Sequence, residues 1–409
     1  MRLAWLFTAT ALVAGAVHAE PMTYDQALAR AHDNAPSLRA KGLRVDAARS
    51  DSIAAGALPD PKLAFGLDNF PISGPPAGRL GADEMTMGRV GIIQDLPSGA
   101  KRRARTDSAS ATVAQAEAGV LLEDRAVRLN TALAWIDLYY AQRRLAVLDD
   151  IVRKLLPLRD TTASRVISGS SRPGQTVEID QLLAALADRR SELLAQMGKA
   201  RAELVRWTGD PEAEVAGDPP DFEVDDAVLR AGLGRHPVLL AIDADAQRAD
   251  ADLGLARADK RPDWSVDLSY QRRDPAYGDM VSVGATVSLP LFSRNRQDPV
   301  IAARAADASR VRLERDAAAR QLLAALEADL ADHRMHHDRM MRAHETLVPL
   351  AQKRADLETA SYAAGTATLG DVLAAFMGLA EARLDALDRE ADVARDAVRI
   401  TLTYGVDDQ

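Results

Sequence analysis

The chain is written twice. Asn34-Ala35-Pro36 is echoed by Arg235-His236-Pro237, and Leu58-Pro59-Asp60 by Arg261-Pro262-Asp263. Val90-Gly91 with Leu96-Pro97 returns 193 residues later as Val283-Gly284 with Leu289-Pro290, and Leu155-Leu156-Pro157-Leu158 returns 192 residues later as Leu347-Val348-Pro349-Leu350. Matches that keep one order mark a duplication, and a duplication constrains architecture more firmly than local propensity does. The halves are read as residues 20–215 and 216–409. Each runs helix, strand pair, very long helix, tight turn, long helix.

The strand pairs carry a period of two. Trp264, Val266, Leu268 and Tyr270 alternate with Ser265, Asp267, Ser269 and Gln271, and Val281, Val283, Ala285, Val287 and Leu289 alternate with smaller or polar residues. The first half shows the same pattern more faintly, in Leu63, Phe65 and Leu67 and then Val90 and Ile92. Strands are expected over about 61–70, 86–96, 264–272 and 280–290. Strands near ten residues with one apolar and one polar face match a transmembrane barrel, and also a half-buried soluble sheet. In lipid no sheet edge can stay open and four strands cannot close a barrel, so a membrane reading requires several copies, each supplying four staves.

The helices are too long for a globule. Val113, Val120, Val127, Ala134, Ala141, Leu148 and Leu155 recur at every seventh residue, the spacing of a coiled-coil seam. A helix from about 100 to 168 at roughly 1.5 Å per residue runs on the order of 100 Å. Glycine-bearing turns over 166–174 and 362–368 form the far tips of two hairpins. The fold class expected is mainly α with a membrane β-barrel portion.

The ends and composition narrow the setting. Arg2, an apolar run from Leu3 to Val17 and Val17-His18-Ala19 before Glu20 have the order of a secretory signal, so 1–19 is read as a signal peptide. No later stretch is apolar enough for a spanning helix. Cysteine is absent, which excludes disulfides, thiolate chemistry and an acylated N-terminal cysteine. With 60 acidic against 51 basic residues the net charge is -9, which disfavours nucleic acid and suits cations. Hydrophobic residues make up 47% but aromatics only 4%, as in Ala/Leu-rich helical packing.

The duplicated helix-strand-strand-helix-turn-helix pattern, with Tyr362-Ala363-Ala364-Gly365-Thr366 followed by Asp371-Val372-Leu373, resembles the TolC family of outer-membrane efflux proteins. Leu58-Pro59-Asp60-Pro61 before the first strand and Leu96-Pro97-Ser98-Gly99-Ala100-Lys101-Arg102 after the second resemble its cobalt-zinc-cadmium resistance branch, with Ala100 where the branch usually has glycine. The resemblance implies a homotrimer whose twelve-stranded barrel sits in outer-membrane lipid on an α-helical periplasmic tunnel. It implies a periplasmic adaptor at the tips, an inner-membrane pump of the resistance-nodulation-division (RND) class, no cofactor, and passive export of heavy-metal cations. Export of drugs or other organic solutes by the same architecture, and a soluble periplasmic coiled-coil scaffold, are the rival readings.

Asp371, one turn past the second tip, and Asp180, past the first, are candidates for rings of carboxylates that gate a pore and favour cations. An acid in the first turn of a helix is also favoured by the helix dipole alone. The resemblance makes Arg165, Gly169, Gly365 and Thr366 the adaptor contact. His333, His337, Met340 and His344 fall on a predicted seam and carry metal-ligating groups, although such positions more often hold satisfied polar side chains between helices. Catalytic patterns fail: His344-Glu345 lacks the second histidine of a zincin helix, and Gly99-Ala100-Lys101 lacks the spacing of a phosphate loop.

Overall fold

The computed structural model describes residues 21–167, 172 and 174–405. The expected signal segment and Gly169 lie outside the described residues, as does the side chain of Arg165. In chain order the first half forms α1 (Tyr24–Asn34), α2 (Pro36–Ala55), β1 (Lys62–Asp68), β2 (Met87–Leu96), α3 (Gly99–Ile167) and α4 (Gly174–Thr208). The second forms α5 (Asp226–Gly232), α6 (Pro237–Ala258), β3 (Asp263–Arg272), β4 (Met280–Ser288), α7 (Gln297–Arg342), a π-helical turn (Ala343–Leu347), α8 (Val348–Ala363) and α9 (Leu369–Tyr404). Two compact units divide the chain, and each draws on both halves. One takes Pro36–Arg125, Asp225–Glu327 and the chain from Tyr404; the other takes the chain up to Ala35, Ala126–Val224 and Ala328–Thr403.

The first unit holds one antiparallel sheet in the order β1-β2-β3-β4. The halves meet at its centre, where β2 pairs with β3 through Val90↔Tyr270, Gly91↔Ser269 and Ile92↔Leu268. Gly91 is required there: a Cβ on it would come within 2.8 Å of the Ser269 Cβ. The β2-β3 connection is locked beyond the strands. The Lys101 ammonium, buried in the first turn of α3, lies 2.5 Å from Asp263 Oδ2 and 3.3 Å from Asp259, and the Ser98 N–H donates to Asp263 Oδ1 at 3.0 Å.

The second unit is helical. Along α3 the seven-residue seam is buried at Val127, Ala134, Ala141, Leu148 and Leu155. Leu148 and Leu155 share one core with Ile179, Leu186 and Leu193 of α4, themselves seven apart, and with Leu369 and Leu379 of α9. A second core is built around Trp135, which stacks on Tyr139 at 5.4 Å and receives the edge of Tyr24 at 5.7 Å. Its indole N–H donates to the Met22 carbonyl at 3.0 Å, which satisfies the one polar atom such a residue brings inside. Thr23 starts α1 with a capping box, its Oγ1 accepting from the Gln26 N–H while the Gln26 side chain accepts from the Thr23 N–H.

The π-helical turn has a cause in sequence. Pro349 has no N–H for the carbonyl four residues back and its ring crowds that carbonyl, so the helix widens locally and the Val348 N–H donates to the Ala343 carbonyl instead.

Candidate functional site

Among the described residues no helix is long and apolar enough to cross a membrane. The sheet presents a different surface. Directly paired residues share a face, so Phe65, Val90, Tyr270 and Val281 form one row and Leu63 and Ile92 start the next, which runs on through Leu268 and Val283. These rows are open to the surroundings: Phe65 is 82% exposed and Val283 74%. The opposite face is polar. Gln271 is buried there and its amide donates to Ser269 Oγ and Ser282 Oγ, each at 3.0 Å, while Lys62–Asp95 at 2.7 Å and Arg89–Asp68 at 3.1 Å bridge β1 to β2. A soluble sheet buries its apolar face and wets its polar one; here the exposure is inverted. The outer edges of β1 and β4 carry no strand partner among the described residues.

At the second tip α8 ends on Gly365, whose φ of 78° suits glycine. The Gly365 N–H donates to the Tyr362 carbonyl at 3.1 Å and the Thr366 N–H to the Ser361 carbonyl at 2.9 Å, the paired closure of a Schellman turn. The Thr366 hydroxyl adds a bond to the same Ser361 carbonyl at 3.1 Å. Three residues on, Thr368 caps α9. Its N–H and hydroxyl both donate to Asp371 Oδ2, at 2.9 and 2.6 Å, and its hydroxyl oxygen accepts from the Asp371 N–H at 3.3 Å. The Thr368 hydroxyl, and then its N–H, hold the Asp371 carboxyl below the usual carboxylate range. Asp180 has other company: it lies 2.8 Å from Arg159, tying α4 to α3. The two candidate gate acids thus do different local work, one within a cap and one between helices.

The histidine segment divides by environment. His336, rather than His337, meets α9, its Nδ1 2.6 Å from the buried carboxylate of Asp396. His344 Nε2 lies 2.8 Å from Glu390. His337 is exposed, whereas His333 and Met340 are half-buried. Among the described residues no three His, Cys, Asp or Glu side chains are grouped to hold a metal ion. The sequence reading also missed the Lys101–Asp263 lock. Its residues stood in plain view in the Leu96–Arg102 and Arg261–Asp263 motifs, but as markers of the repeat and not as charges.

Residues 228–406 match the model of a family described as outer membrane efflux protein. The chain is 26% identical over 391 residues to the cobalt-zinc-cadmium resistance protein CzcC of Cupriavidus metallidurans, covering 90% of this chain and 86% of that one. Its fold is similar to that of CusC, solved in connection with transmembrane channel formation, with a TM-score of 0.80 at 14% identity over 93% of this chain and 92% of that one. It is similar also to the outer membrane protein VceC of Vibrio cholerae, with a TM-score of 0.77 at 18% identity over 93% and 96% of the two chains. The inverted sheet, the heptad-packed helices and these likenesses agree: the chain has the fold of the outer-membrane channels it is similar to, and its second half matches the outer membrane efflux protein family, a family of transport conduits.

Proposed function

We propose that this chain is the exit duct of a tripartite pump that expels heavy-metal cations. The observation that carries the duct is the sheet whose apolar face is open and whose outer edges lack strand partners among the described residues; such a sheet is tolerated in lipid only when further copies close it. A homotrimer would complete twelve strands. Residues 1–19 would direct its export. Metal as cargo is supported by the likeness to the cobalt-zinc-cadmium resistance protein and by the net charge of -9.

In this reading an RND pump delivers the ion and an adaptor engages the hairpin tips, touching Arg165, Gly169, Gly365 and Thr366. Three copies would ring Asp371 and Asp180 where the helices end, favouring cations. Both Thr368 bonds fall on Oδ2 of Asp371, so its second oxygen is not consumed by the cap. Deleting the chain should sensitise cells to zinc, cobalt or cadmium, with resistance restored by re-expression. Sensitivity confined to organic toxicants would overturn the metal cargo.

A further inference from the structure

The two ends of the sheet differ in charge. The loops that join β1 to β2 and β3 to β4, residues 69–86 and 273–279, hold two basic residues against four acidic ones. At the other end β2 and β4 run into helices. There residues 56–61, 97–105, 257–262 and 289–297 hold nine basic residues against two acidic ones. In a chain of net charge -9 this is a local reversal of sign, and the gathered cations repel one another unless anions meet them.

Part of that charge is neutralised within the unit. Lys101 is held by Asp263 and Asp259, Lys260 by Asp298 and Lys62 by Asp95. Arg261, Arg294 and Arg296 are different: all three are exposed and have no ion-pair partner among the described residues. Asp60, the other acid at this end, precedes β1, at the far edge of the sheet from β4.

The unpaired arginines adjoin an exposed apolar step. Leu289 is exposed, and Leu291 and Phe292 are each 75% exposed. The step is held in place by its backbone. β4 stops short of Pro290, around which the Leu291 N–H donates to the Leu289 carbonyl at 3.0 Å. In the 3-10 turn Ser293–Asn295 that follows, the Asn295 N–H donates to the Phe292 carbonyl and the Arg296 N–H to the Ser293 carbonyl, each at 3.3 Å. Arg261 precedes β3, whose Asp263 pairs with Ser288 of β4, so it stands beside the Pro290 turn. Trp264 and Val287 form the last row of the apolar face before the step. Along the sheet the order is therefore aliphatic rows, a tryptophan, Leu291-Phe292, and then guanidinium groups. That is the order of an acyl layer, its interface and its headgroups.

We propose that Leu289–Arg296 together with Arg261 is a docking site for an anionic phospholipid such as phosphatidylglycerol, in the leaflet on the side where β2 and β4 enter helices. The phosphodiester sits among the three guanidinium groups and the acyl chains lie against Leu291 and Phe292. Arginine suits this task because its planar fork gives a phosphate two parallel donors. A zwitterionic headgroup brings its own cation and so gains less from the patch. The inference rests on the membrane reading of the sheet and adds to it a lipid class and the residues that select it.

The test uses the full-length protein in detergent, titrated with phosphatidylglycerol or phosphatidylcholine. Lipid retained is counted by native mass spectrometry and the thermal midpoint is followed in parallel. Phosphatidylglycerol should be retained and should raise the midpoint; phosphatidylcholine should do neither. Arg261→Gln, Arg294→Gln and Arg296→Gln should each weaken phosphatidylglycerol binding about fivefold, and together on the order of a hundredfold, with the lipid-free midpoint unchanged. Added salt should weaken binding to the unsubstituted protein and have little effect on the triple variant. Leu291→Ser with Phe292→Ser should weaken binding while its salt dependence stays.

Equal binding of the two lipids, or undiminished phosphatidylglycerol binding by the triple variant, would overturn the site and leave the membrane reading standing. A protein that takes up neither lipid nor detergent would overturn the membrane reading itself. If inorganic phosphate alone raises the midpoint as far, the patch selects phosphate and the lipid is wrong. If the Leu291→Ser, Phe292→Ser variant loses oligomers and keeps its lipid, a second copy covers the step and the proposal fails.

Discussion

Trp264 on β3 is 53% exposed, whereas Trp135 on α3 has no exposed surface at all. The same side chain thus serves two environments in one molecule. In the helical unit Trp135 is enclosed by Tyr24, Tyr139 and the Met22 carbonyl. On the sheet Trp264 stands in a row with Val287 and Leu96, outward, with polar residues on the reverse face. Burying apolar surface from water is worth roughly 25 cal/mol per Å², so a sheet that forgoes it over a whole face is shaped for a solvent that is itself apolar. The difference teaches that hydrophobic patterning here records which solvent each region meets, and that one chain can be right side out in one unit and inside out in the other.

The largest expected effect falls on the enclosed side. Trp135→Ala should cost about 3–5 kcal/mol, read as a lowered denaturation midpoint of the detergent-purified protein, because it opens a cavity and leaves the Met22 carbonyl with the Ala216 N–H alone of its two donors. Trp264→Ala should cost far less. Equal losses at the two tryptophans would break the comparison, since they would mean that β3 packs its apolar face against protein.

A charge sharpens the contrast further. Leu268 lies mid-strand on the apolar face, and Leu268→Arg should cost about 2–4 kcal/mol if that face meets the bilayer midplane. Ser265→Arg on the reverse face should cost markedly less. The readout is the fraction of protein recovered folded in outer membranes, and a reversed order would place water on the apolar side.

Much of this was legible because both periodicities are strong. Alternation through Trp264–Tyr270 and the seven-residue seam through Val127–Leu155 each need only a count along the chain, and both correspond to what the sheet and helices bury or expose. The histidine segment was harder for a physical reason. Steps of three and four can be taken in either order, so a seam through His337 and His344 reads as well as one through His336 and Ala343. Packing against α9 draws on both: Ala343 is buried and His336 meets Asp396, while within the Pro349-induced π turn His344 meets Glu390. The second tip was legible as a turn from Gly365. The cap that Thr368 and Asp371 form was not distinguished from a gate, because one acidic residue one turn past a glycine fits both.

That ambiguity sets the smallest and most local prediction. Thr368→Ala removes the cap of α9 and should cost about 1 kcal/mol, as the loss of an N-cap threonine does, seen as faster hydrogen exchange in the first turn of α9 with the core around Trp135 unchanged. Asp371 adds a pH signature whose sign follows from its depressed carboxyl. A carboxyl held below its unfolded value stabilises the turn above the ordinary carboxylate range and releases it as pH falls through the folded value. Protection of the Thr368 and Asp371 amides should therefore persist at neutral pH and fade on acidification, and Thr368→Ala should raise the pH at which it fades. If protection is unchanged by acid while cation flux changes, Asp371 acts on the pore and not on the cap; if both change together in Asp371→Asn, one carboxylate holds the tip and lines the exit, with Oδ2 turned to the cap.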